Sequence, residues 1–164
     1  MKTFFFLFAI ISLSLASQAF AQSKATVDLM TAVKKENLRL VKEAIEDKGD
    51  PNGFNHDDVP SNTVFLEAVN RRNVQIVSYL LDHGANINQK MPLNIVSTGY
   101  TGLMFAVRNH DAPMVKLLLS RKADVNSESL VGRTALHIGA LNNSVEEVSL
   151  LLKTQGIDVN ARPS

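Results

Sequence analysis

The stretch Leu81-Asp-His-Gly-Ala-Asn-Ile-Asn88 returns, little altered, as Leu119-Ser-Arg-Lys-Ala-Asp-Val-Asn126. Outward from this pair, Ile45-Glu-Asp-Lys-Gly-Asp-Pro-Asn52 precedes it and Leu152-Lys-Thr-Gln-Gly-Ile-Asp-Val-Asn160 follows it. The closing asparagines, Asn52, Asn88, Asn126 and Asn160, keep a nearly constant interval. A second landmark, the small-residue pairs Ala32-Val33, Ala68-Val69, Ala106-Val107 and Gly139-Ala140, advances in step with them. Two landmarks in phase indicate a stack of similar units, each too small to bury its apolar face alone.

Within a unit the pattern is that of two helices. A short one, as in Thr134-Ala-Leu-His-Ile-Gly-Ala140, carries small residues that let neighbouring helices approach closely. A polar turn follows, such as Arg71-Arg72-Asn73 or Asn109-His110-Asp111, and then a longer apolar helix: Val74 to Leu81, Met114 to Leu119, Val145 to Leu152. Asp111 stands as an N-cap two residues before Pro113, which falls in the first turn, where its missing N–H costs little. Gly49, Gly84 and Gly156 lie just past the second helices, where a left-handed residue commonly ends a helix, and Lys122 holds that place in the third unit. The pattern predicts an all-α chain of four units, at about 26–61, 62–98, 99–130 and 131–164.

These residues resemble the ankyrin repeat. Gly132-Arg-Thr134-Ala135-Leu136-His137-Ile138-Gly139-Ala140 is similar to the family's G-x-T-P-L-H-x-A-A signature, with Ala135 in place of Pro and Gly139 in place of Ala. Gly99-Tyr-Thr101-Gly-Leu103-Met-Phe-Ala106 is a looser copy, and Thr63-Val-Phe-Leu-Glu-Ala68 looser still. The resemblance covers about residues 26–161 and implies a helical solenoid whose units are joined by β-hairpin fingers. It further implies that the protein works by binding another protein, through the finger tips and the inner face of the short helices. The first unit lacks the Thr-Pro-Leu-His stretch and reads as an N-terminal cap. No polar helix follows the last unit, so its outer face is either polar, covered, or stacked on a second copy.

The beginning of the chain has a different character. One positive charge at Lys2 precedes an apolar run from Phe4 to Leu15, and Ala19-Phe20-Ala21 supplies the small residues that a signal peptidase reads. The run of about 12 residues falls short of the ~20 needed to span a bilayer. A secretory signal peptide over 1–21 is expected, with an exported mature chain from Gln22, periplasmic in a Gram-negative bacterium and otherwise secreted. The 17 Lys and Arg nearly balance the 16 Asp and Glu, which argues against a general nucleic-acid binder. Cysteine is absent, which excludes disulfides, thiolate zinc sites and a cysteine nucleophile.

Catalytic motifs are equally scarce. No nucleophile elbow, phosphate-binding glycine loop or H-E-x-x-H helix occurs. His56, His83, His110 and His137 are evenly spaced, but on an interval shorter than the repeat, so they fall at four different places in the unit and do not converge. By the resemblance, His137 is a structural histidine bonded to its own repeat's turn. His56-Asp57-Asp58 is the one cluster with metal-ligand chemistry, yet three adjacent residues do not complete a calcium or zinc shell and read as a solvated finger tip. No cofactor is expected.

Two surfaces are candidates for a partner. Lys34, Lys35, Arg71, Arg72 and Arg108 follow the small pairs on the concave side and read either as an ordinary solvated face or as a positive stripe suited to an acidic protein. The second finger, between Asn88 and Thr101, is longer than the third, between Asn126 and Thr134. It carries the apolar Met91, Leu93, Ile95, Val96 and Tyr100, which are either exposed for contact, the favoured reading, or folded back onto their own repeats, with Leu130 and Val131 extending the patch from the next finger.

Overall fold

A computed structural model describes residues 23–54, 62–91 and 99–162. Within them eight helices form four antiparallel pairs. These are α1 (23–34) with α2 (Leu38–Glu46), α3 (Val64–Asn70) with α4 (Val74–Asp82), α5 (Gly102–Arg108) with α6 (Ala112–Ser120), and α7 (Ala135–Leu141) with α8 (Val145–Leu152). Short helices α3, α5 and α7 pack side by side in one layer, and long helices α2, α4, α6 and α8 form the second. The expected all-helical solenoid is what the chain adopts.

Helices start where the sequence supplies a side-chain acceptor for the orphan first-turn amides. Thr63 and Thr101 open short helices by accepting from Leu66 N and Met104 N. Asn37, Asn73 and Asp111 do the same for long ones, Asp111 accepting from Met114 N at 3.2 Å with Pro113 in the first turn. At α7 the His137 ring joins the cap: its Nδ1 accepts from Thr134 N at 3.2 Å, while the Thr134 side chain meets the N3 backbone. This is the structural role the resemblance implied for His137.

The turn inside each pair is made by one residue in the left-handed region: Glu36 (φ 52°), Arg72 (60°), His110 (53°) and Asn143 (55°). Counting from these residues aligns the four pairs without gaps through both helices. Three residues earlier stand Val33, Val69 and Val107, all buried, and five residues later Val41, Val77 and Val115, all fully buried. With Leu29, Phe65, Leu103, Leu80 and Leu118 they form one continuous core. Each such side chain contributes about 1.5–3 kcal/mol relative to exposure.

Past each long helix a second left-handed residue turns the chain: Lys48 (φ 68°), Gly84 (89°), Lys122 (62°) and Gly156 (83°). The first unit departs from expectation here, because Lys48 rather than Gly49 makes the turn. Gly49 serves close packing instead: a Cβ there would lie 2.7 Å from Ala44 O and 2.8 Å from Ala25 O, so α1 and α2 meet over a bare backbone.

The four sequence endings then form four Asx turns. Asp50, Asn86, Asp124 and Asp158 accept through Oδ1 from the amides of Asn52, Asn88, Asn126 and Asn160 at 2.8–3.0 Å. The closing asparagine reaches forward. Asn52 Oδ1 accepts from Asn86 N at 2.7 Å and its Nδ2 donates to Gly84 O at 3.0 Å. Asn88 Oδ1 accepts from Asp124 N, and Asn126 repeats both bonds to Asp158 N and Gly156 O.

The hairpins are slighter than expected. Isolated antiparallel bridges, Phe54 with Thr63 and Lys90 with Thr101, stand at the roots of the first two fingers, and no strand forms among the described residues. The third is a tight loop in which Ser129 N donates to Arg133 O at 2.9 Å. None of the described helices is long and apolar enough to cross a membrane.

Lys122→Gly removes the steric cost of a left-handed Lys, up to ~1 kcal/mol. A melting temperature raised by a few degrees in differential scanning calorimetry is the expected result; a fall would mean that the Lys122 side chain makes a stabilising contact.

Candidate functional site

The short helices α3, α5 and α7 make only two turns each, so each presents few positions to the face away from the long helices. Two rows recur on the inner layer at fixed distance from the turn: Thr31, Glu67, Phe105 and Ile138, then Lys34, Asn70, Arg108 and Leu141. The character changes along the second row. The first two units offer Lys34 and Asn70, whereas the last offers Leu141, 66% exposed.

Of the five basic residues, Lys34, Lys35 and Arg108 are exposed as a binding role requires. Arg71 and Arg72 are engaged within the protein. Arg71 Nε donates to Glu67 Oε1 at 2.7 Å, and its Nη1 lies 3.8 Å from Glu36 Oε1 in the preceding unit. Arg72 Nη2 donates to His110 O at 3.1 Å, while its Nε sits 3.4 Å from the buried Asp111 carboxylate, an ion pair across to the third unit. A continuous positive stripe is therefore interrupted at its centre, where carboxylates lie beside the arginines.

The third unit holds the most built-up feature of this face. Tyr100 and Phe105 meet edge to face, centroids 5.6 Å apart at 68°. The Arg108 guanidinium lies over both rings, 4.9 Å from the centroid of Phe105 and 5.6 Å from that of Tyr100. Such stacking is attractive because the ring face is electron-rich. It leaves Arg108 outermost, resting on both rings. Tyr100, expected as an exposed finger residue, is 9% exposed: Met91 N donates to Tyr100 O at 2.9 Å, closing the finger root and turning the ring inward onto Phe105. Met91 is half-buried and packs against the same core. Sequence reading missed Phe105, although its spacing of three from Arg108 on one helix, beside Tyr100, carried the signal.

Leu130 and Val131 are 57% and 52% exposed at the tip of the third finger. Leu130 leans on the root of the second finger, so closely that a Cβ on Gly99 would fall 2.8 Å from its Cγ. That contact sets Leu130 against Gly99, the residue that precedes Tyr100. Leu93, Ile95 and Val96 lie outside the described residues, as do His56, Asp57 and Asp58.

The described histidines stay apart. His83 stacks on Tyr79 at 4.0 Å at the end of α4, His110 makes a turn and His137 caps α7. No group of three or more metal-ligating side chains occurs among the described residues.

Against known proteins, the family model described as ankyrin repeats (3 copies) matches residues 29–129 and 89–163. The chain is 35% identical over 92 residues to an ankyrin repeat protein of fowlpox virus (strain NVSL), covering 56% of this chain and 26% of that one. It is 34% identical over 135 residues to zygote-specific protein 3 of Chlamydomonas reinhardtii, covering 81% and 33%. It is 30% identical over 148 residues to ankyrin repeat and SAM domain-containing protein 6 of Rattus norvegicus, covering 87% and 16%. The chain thus spans about a third or less of the length of these curated relatives.

Arg72→Ala removes both ties to the third unit and is expected to lower the urea midpoint by the equivalent of ~0.5–1.5 kcal/mol. Lys35→Ala, at an exposed site, is expected to leave the midpoint unchanged. Equal midpoints for the two variants would show that the Arg72 contacts do not stabilise the stack.

Proposed function

Since the chain belongs to the ankyrin-repeat family, whose repeats bind other proteins and are generally non-catalytic, we propose that it is a scaffold that holds a partner protein against its third and fourth units. The observation that carries this reading is Arg108, held over Tyr100 and Phe105, with the exposed Leu130 leaning on Gly99 next to Tyr100 in the chain and the exposed Val131 following it. A cation biased toward one orientation by the rings beneath it loses less entropy on meeting a carboxylate, and neighbouring apolar groups exclude water from that contact. The partner in this reading offers an acidic group to Arg108 and apolar side chains to the finger. Lys34 and Lys35 at the far end add long-range attraction for the same acidic surface.

The place of action proposed is outside the cytoplasm, on the strength of the apolar run Phe4–Leu15 and the Ala19-Phe20-Ala21 site. An inhibitor or accessory protein of an exported enzyme or toxin is one form such a scaffold takes.

The test is capture of partners from the native exported fraction by the tagged protein, followed by titration of the partner recovered. Two variants accompany it: Arg108→Glu with Val131→Asp on the proposed face, and Arg39→Gln on the long helix α2. Affinity should fall at least about tenfold for the first and stay unchanged for the second. Equal binding by all three forms would remove this face from the function.

A further inference from the structure

The loop after α2 carries the one asparagine–glycine pair in the sequence, Asn52-Gly53. The other closing asparagines are followed by Gln89, Ser127 and Ala161. Glycine is the residue after which a backbone amide most readily attacks the preceding carboxamide, because no Cβ hinders closure of the five-membered ring. Packing demands glycine here. A Cβ on Gly53 would lie 2.5 Å from Cγ2 of the buried Thr26 in α1 and 3.2 Å from Asp50 O. The reactive pair is therefore part of the contact between α1 and the loop.

Docking of the second unit keeps the pair from reacting. Asn52 Nδ2 donates to Gly84 O at 3.0 Å and Oδ1 accepts from Asn86 N at 2.7 Å, so both ends of the carboxamide are held by the second unit. Gln89 Nε2 donates to Asn52 O at 2.9 Å, a third tie from the same side. Within the loop, Asn52 N donates to Asp50 Oδ1 at 2.8 Å. The attacking atom is engaged as well, since Gly53 N donates to Asp50 O at 3.1 Å. Ring closure brings Gly53 N onto Asn52 Cγ and strips the amide of its proton, so these bonds must be released first.

We infer that Asn52-Gly53 is a site of spontaneous deamidation that the first interface holds closed, so that separation of the first unit from the second is recorded as a covalent change. In the separated state Gly53 N bonds to Asn52 Cγ and the Cγ–Nδ2 bond breaks. Nδ2 leaves as ammonia, taking the proton from Gly53 N. Water then opens the succinimide at either carbonyl, giving aspartate on the original main chain or isoaspartate with the main chain routed through Cβ. Both products lack the Nδ2 donor and set a carboxylate toward Gly84 O, which has no proton to offer. Isoaspartate also adds a methylene to the main chain inside the Asx turn. The first unit re-docks more weakly, and an opening that was reversible is made lasting. The inference is independent of the partner face around Arg108.

Peptide mapping by mass spectrometry tests this, on the chain as the cell leaves it, incubated in mildly alkaline buffer made with heavy-oxygen water to mark each hydrolysed residue. Conversion at Asn52 should be at least about tenfold slower in the folded chain than in the same chain unfolded in urea, because only the opened fraction reacts. Gln89→Ala removes one tie without altering the pair, and should raise the folded-state rate about fivefold while leaving the unfolded rate unchanged. Asn52→Asp reproduces the aspartate product, and should lower hydrogen-exchange protection in α1 and α2 about fivefold or more, with α7 and α8 unaffected. Four results would overturn the inference: equal rates in the folded and unfolded chains, no conversion at Asn52 in urea, a Gln89→Ala chain that converts no faster than its parent when folded, or unchanged exchange in Asn52→Asp.

Discussion

The stack is held in register by a hydrogen bond that each unit receives from the one before. The loop after a long helix must turn sharply, and the turn leaves backbone groups with no helical partner. An asparagine from the preceding repeat supplies what is missing, as Asn52 does for Gly84 O and Asn86 N and Asn126 does for Gly156 O and Asp158 N. Asn88 gives the matching bond to Asp124 N. Because the donor and the recipient occupy equivalent places, the same sequence ending both receives and extends the order. Apolar burial makes the units adhere, but it is non-directional, and the asparagine fixes how one sits on the next.

That repetition frees the concave face to vary. The outermost side chains there, Lys34, Asn70, Arg108 and Leu141, are exposed, so neighbouring units carry different chemistry on one backbone. The first two units place Glu36, Glu67 and Arg71 in an ion-pair group, and the last two place Tyr100, Phe105, Arg108 and Leu141 in an aromatic and apolar one. Short two-turn helices present these groups. Family membership follows from the repeat, whereas these few non-repeating residues are where one unit differs from the next.

Much of the fold was legible in the sequence because repetition samples the same physics four times. Small residues at Ala32, Ala68, Ala106 and Gly139 and the cap at Asp111 marked the helices. Gly84 and Gly156 marked turns, and the expectation for Lys122 held, since it adopts the same left-handed backbone. Gly49 misled, because a glycine signals either a positive φ or a close approach, and only the neighbouring backbones Ala25 and Ala44 decide which. Less of the candidate site was legible. Arg72 looked like a free cation because its partner, Asp111, belongs to the next repeat, whereas Arg71 pairs with Glu67 four residues earlier on its own helix, a spacing the sequence did offer. Tyr100 looked exposed because loop position was visible and the ring's turn onto Phe105 was not.

Urea unfolding of Asn88→Ala, Asn126→Ala and Asn160→Ala tests the coupling most directly. Asn88 and Asn126 each bond a following unit, so each substitution should lower the unfolding free energy by about 1 kcal/mol. Asn160 occupies the same place with no described unit after it, and its loss should fall within about 0.5 kcal/mol of no effect. Equal losses at all three sites would show that the asparagines stabilise only their own turns, and the account of how the units are held in register would fail.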